Sequence, residues 1–106
     1  MTYFNTPAQV AAALRAMADD LAAMPAAVLP DLAVTVDIQA STWGGTDAER
    51  IAAVDALSTA LVGHPGQSES MPNGTVHHHM SLDFRYRADG LRVAVYTGLT
   101  DLEVAR

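Results

Sequence analysis

The first strongly patterned stretch reads "TPAQVAAALRAMADDLAAMP", in which Val10, Leu14, Met17, Leu21 and Met24 recur at intervals of four and three. That period places them on one stripe of an α-helix, with Arg15, Asp19 and Asp20 mainly off it. Thr6 stands at the N-cap, Pro7 at the first helical position and Gln9 three residues after the cap, a capping-box arrangement. Pro25 closes the pattern, because the residue before a proline is held out of the helical region. A helix over 7–24 is predicted.

A different period follows. In "DLAVTVDIQA" the apolar Leu32, Val34, Val36 and Ile38 alternate with Ala33, Thr35, Asp37 and Gln39, the period of a half-buried strand. "TDAE" then opens a second helix with Thr46 as cap and Glu49 as its box partner. Ile51, Val54, Leu57 or Ser58, and Leu61 form its buried stripe, and Arg50 and Asp55 are expected to point away. Gly63, in the left-handed conformation, and Pro65 stop it.

The last third reads as hairpins. "PNG" is a turn signal, so "GQSESM" is expected to form a short strand before it. From Thr75 to Arg87, Val76, His78, Met80, Leu82, Phe84 and Tyr86 share one side, while His77, His79, Asp83 and Arg85 take the other. A two-residue turn at Asp89-Gly90 would set Phe84 opposite Val95, Tyr86 opposite Val93 and Arg87 opposite Arg92. The tail "TDLEVAR", from Thr100 on, reads as a loose end. These elements predict an α+β fold, a two-layer α/β sandwich in the order α-β-α-(β)-β-β. Its mainly antiparallel sheet of three or four strands would be covered by two helices on one face, residues 1–106 forming a single domain.

Composition narrows the function classes. Half of the 106 residues are hydrophobic, which suits a globule and argues against disorder. No apolar run approaches the ~20 residues that span a bilayer, and no secretory leader is apparent, so a cytoplasmic location is expected. Cysteine is absent, which excludes disulfides, thiolate nucleophiles and cysteine-ligated zinc. All six basic residues are arginine against twelve acidic ones, a formal charge of −6 that disfavours nonspecific contact with nucleic acid or anionic lipid.

The candidate chemistry centres on "VHHHM". Strand alternation separates His78 from His77 and His79, so the triplet is not a three-toothed ligand. His77 and His79 are nonetheless spaced to share one metal, with Asp83, His64 or Glu69 as a third ligand. Because none of these stands at a diagnostic spacing, a polar strand face with His78 satisfied at the core edge is preferred. Ser41, Ser58, Ser68, Ser70 and Ser81 sit in caps, helix surface, strands and loops, with no nucleophile elbow. "TWGGT" is no phosphate loop, and Trp43 within it is either a lid over the core or an interface anchor. Arg85, Arg87 and Arg92 converge on one hairpin near Tyr96 and could grip a phosphate backbone, though Asp83 and Asp89 are placed to pair with them.

The succession "TPAQVAAALRAMADDL", "LAVTVDIQ", "TDAERIAAVDALSTALVGHP" and a terminal hairpin resembles small proteins of unassigned activity encoded by actinobacterial genomes and their phages or mobile elements. The resemblance spans most of the chain but rests on patterning and caps, so it implies no activity and transfers no functional residue. The expected function is therefore a non-enzymatic interaction or accessory module, without cofactor, working through a protein surface and self-associating as a homodimer. His77, His79, Arg85, Arg87, Arg92, Tyr96 and Trp43 are the interface candidates. A metal site at His77 and His79, or a nucleic-acid contact through Arg85, Arg87 and Arg92, is the alternative.

Overall fold

The capping box expected at Thr6 and Gln9 is present. Gln9 donates its backbone N–H to Thr6 Oγ1 at 3.2 Å, and its side-chain oxygen accepts from Thr6 N at 3.2 Å. Helix α1 spans Pro7–Ala22 and ends two residues before the predicted limit, where Met24 N bonds Leu21 O in a tightened last turn. The structure, a computed structural model, describes residues 3–26, 29–41, 44–80, 86–87 and 89–100. The chain divides into two units, Met1–Pro30 and Asp31–Arg106. Among the described residues the first holds one helix and no second element of its own unit for it to pack on, and no residue of α1 is buried.

The second unit contains β1 (Val34–Ala40), α2 (Asp47–Val62), β2 (Gln67–Ser70), β3 (Val76–His79) and β4 (Leu91–Leu99). The α+β class and the element order match those predicted from the sequence. The sheet runs β1-β4-β3-β2, with β1 parallel to β4 and the other two pairings antiparallel. Strand β4 has a neighbour on each side, so its alternation is the sharpest: Val93, Val95, Thr97 and Leu99 are buried. Helix α2 packs on that face against β4, β3 and β1. Val54, Met80, Val93 and Val95 form the buried cluster, flanked by Val36, Ile38, Leu57 and Leu61. Each fully buried side chain of this size contributes about 1.5–3 kcal/mol of transfer free energy. Thr97, fully buried, ties the parallel pair by donating its hydroxyl to Ala40 O at 2.8 Å.

Three local expectations are corrected. The first concerns the terminal hairpin. Met80 N bonds Val95 O, and Tyr86 N bonds Leu91 O, so Val95 faces Met80 and Tyr86 is not opposite Val93. Arg87 lies in the turn at φ 62°, not across from Arg92, and Gly90 takes φ 87°. The bond from Tyr86 N to Leu91 O closes a turn longer than two residues, and Gly90 O in that turn accepts from Val34 N at the start of β1. Phe84 lies outside the described residues. Secondly, Arg50 is buried, 3% exposed, because Asp47 of the same helix and Thr100 after β4 receive its guanidinium. Thirdly, Asp55 turns inward to the strands, to Gly66 and His78. Among the described residues no helix is long and apolar enough to cross a membrane.

Candidate functional site

Register and alternation decide what stands on the sheet face turned away from α2. Asp37 of β1 lies beside Ala94 and Thr35 beside Arg92, while His79 of β3 lies beside Tyr96 and His77 beside Gly98. On β2, Glu69 pairs with His77 and Gln67 with His79. Opposed residues share a face, so Asp37, Arg92, Tyr96, His77, His79 and Glu69 all stand on this one. A cavity of about 320 Å³ opens there. Asp37 and Glu69 supply its carboxylates, the rings of His77, His79 and Tyr96 its walls, and Met71 and Ala94 its apolar part.

The two histidines are held differently. His79 is 4% exposed. Its Nδ1 lies 2.6 Å from Met80 O and its Nε2 2.7 Å from Glu69 Oε2. Both partners are acceptors, so neither nitrogen directs a lone pair into the cavity. His77 instead stacks on Tyr96, with ring centroids 6.4 Å apart and planes at 25°. Gly98, which carries no side chain, is paired with His77 on β4. Among the described residues no group of three or more histidine or acidic side chains is arranged to hold a metal ion. Asp83, one suggested third ligand, lies outside the described residues, and His64 makes a local contact to Pro65 O at 3.1 Å.

Of the arginines expected to converge on one hairpin, the two described, Arg87 and Arg92, stand on different sides of the sheet. Arg87 sits over the Tyr86 ring, 5.1 Å from its centroid, and Tyr86 packs against the core cluster on the α2 side. Arg92 is exposed on the opposite face. Arg85 and Trp43 lie outside the described residues.

The middle histidine belongs to a constellation that sequence reasoning misses. His78 is buried on the α2 face, where its Nδ1 lies 2.9 Å from Ser68 Oγ and its Nε2 2.7 Å from Asp55 Oδ1. Gly66 N–H donates to the same carboxylate oxygen at 2.9 Å. Ser68 itself is exposed on β2, directly opposite His78. A signal for part of it lies in "SMPNGTV": counting outward from that turn pairs Ser70 with Val76 and Ser68 with His78. Asp55 carries no comparable signal, since only the packing of α2 on the sheet brings it there.

Comparison of the chain with family models, with curated protein sequences and with solved structures gave no match.

Proposed function

We propose that this chain is an interaction module that pairs with a second copy of itself through the sheet face turned away from α2. The supporting observation is the division of charge on that face. Asp37 and Glu69 line the cavity, while Arg92 stands two residues along β4 from Ala94, a step of roughly 6–7 Å. Among the described residues no ion pair joins Arg92 to either carboxylate. A two-fold axis through the face therefore brings each copy's Arg92 to its partner's cavity, the self-complementary arrangement of an isologous dimer. The stacked His77 and Tyr96 rings supply the aromatic anchor at its centre.

Sedimentation equilibrium over a concentration series tests this reading. A reversible dimer is expected, weakened by salt because rim charges are screened. Arg92→Glu and Asp37→Arg should each give monomer, and the double variant should recover the dimer by exchanging the two charges. A strict monomer at high micromolar concentration, or a dimer indifferent to all three changes, overturns the proposal.

A further inference from the structure

We infer that Ser68, His78 and Asp55 form a nucleophile relay able to take an acyl group from a small carboxylic ester. Ser68 is the nucleophile, His78 the base and Asp55 the positioning residue. The inference goes beyond the face-to-face pairing, which involves the other side of the sheet.

The geometry has three parts. His78 Nε2 and Asp55 Oδ1 are 2.7 Å apart, so in the neutral ring the proton sits on Nε2 and is donated to the carboxylate. That leaves the Nδ1 lone pair aimed at Ser68 Oγ, 2.9 Å away, so the hydroxyl donates to it. Asp55 is itself fixed by the Gly66 N–H on the same oxygen. The base is enclosed, its side chain 8% exposed, while the serine is exposed. This is nucleophile, base and orienter in hydrogen-bond order, with the two ring nitrogens in exchanged roles from the common serine hydrolase arrangement.

The strand ladder adds an oxyanion donor. Met80 N–H is directed to β4, and the period of two directs the main-chain groups of His78 there as well. Ser68, opposite His78, is therefore in a non-hydrogen-bonded pair, and its own N–H points away from β3. The same pairing explains why the two side chains meet, since such pairs have the closer Cα approach.

The reaction balances without a further reagent. Ser68 Oγ bonds to the acyl carbon as its proton passes to His78 Nδ1. The bond from acyl carbon to leaving oxygen then breaks, and that oxygen takes the proton from Nδ1. Water attacks the acyl-serine, giving its proton to Nδ1, and the carboxylic acid leaves as Ser68 Oγ is reprotonated. A general base in this position contributes about 10²–10⁴-fold. A serine held only as a structural hydrogen-bond donor would show none of this.

The test uses the full-length chain with p-nitrophenyl acetate, following p-nitrophenolate release and mapping acetylated peptides after an acid quench. Acetylation at Ser68 is expected, abolished in Ser68→Ala. Asp55→Asn keeps an oxygen acceptor for Gly66 N–H and for His78 Nε2–H but removes the negative charge that stabilises the imidazolium formed as Ser68 gives up its proton, so it should fold while acetylating about 100-fold more slowly. A second pair of variants is independent of Asp55: S68C should react with iodoacetamide faster than S70C, which is exposed on the same strand but faces Val76. Ester cleavage unchanged in Ser68→Ala, no acetyl group on Ser68, or equal thiol rates would each overturn the inference.

Discussion

Asp47 and Arg50, three residues apart on the first turn of α2, form an ion pair whose side chains are 4% and 3% exposed. Asp47 Oδ1 also accepts the backbone N–H and the hydroxyl of Thr100, each at 2.9 Å. The arginine reaches Gly45 O at 2.6 Å. The pair thus clamps the start of the helix to the end of β4. It also places an acidic group where the helix dipole favours one.

Removing one partner of this pair should cost far more than its net worth. Asp47→Ala leaves the guanidinium enclosed without its carboxylate, a loss of about 3–5 kcal/mol. Thr100→Val removes a hydroxyl that donates to Asp47 and accepts from Arg50 but keeps both charges and the backbone N–H to Asp47, and should cost about 1.5–3 kcal/mol. Urea unfolding of the two variants checks the order; a smaller loss for Asp47→Ala would contradict the buried clamp.

Two glycines beyond the C-terminus of α2 are needed for different reasons. A Cβ on Gly66 would lie 2.7 Å from His79 O and 3.2 Å from Val54 Cγ1. Gly66→Ala should therefore destabilise by overpacking, about 1–3 kcal/mol, and no small side chain should rescue it. Gly63 has open space but φ 84°. Gly63→Ala should cost about 1–2 kcal/mol, and Gly63→Asn distinctly less, because asparagine tolerates the left-handed region. Thermal melts of the three variants separate the two causes.

The N-cap of α2 offers a smaller and cleaner effect. Thr46 Oγ1 accepts from Glu49 N at 3.2 Å, and Glu49 Oε1 accepts from Thr46 N at 3.2 Å. Thr46→Ala should cost about 1 kcal/mol. The urea midpoint should fall with the slope of the transition unchanged.

Zinc should not be retained by the His77 and His79 face. Both nitrogens of His79 are committed to oxygen acceptors and His77 is stacked on Tyr96. Elemental analysis after dialysis against zinc should find no stoichiometric metal. One zinc per chain that disappears in His77→Ala would contradict this geometry.

Local features are legible in the order of residues alone. The Thr6 and Thr46 boxes, the stop at Gly63 and the alternation of Val34–Ala40 depend on neighbours within four residues. Backbone sterics and short-range hydrogen bonds determine them whatever the rest of the chain does. The separation of His78 from its two neighbours follows from the same period of two. The terminal hairpin departs from its local pattern for the opposite reason. Its turn chemistry suits Asp89-Gly90, but Gly90 O accepts from Val34 N of the neighbouring strand β1, a contact that no local pattern specifies.

By itself the sequence determined the two helices, the strand Val34–Ala40, the start of the strand at Val76 and which side chains share those strand faces, though not that this last strand ends at His79. The tertiary structure alone decided that β1 joins β4 in parallel, that Arg50 is enclosed, and that Asp55 meets His78. The helix period of Arg50 is polar and points to solvent, yet its partner Thr100 lies far along the chain. Asp55 is equally unmarked on its helix, and only the seating of α2 on the strands gives it a partner. Periodicity reports the environment averaged along one element, whereas a buried charge or a hydrogen-bonded relay depends on groups that only the packing of separate elements brings within 3 Å.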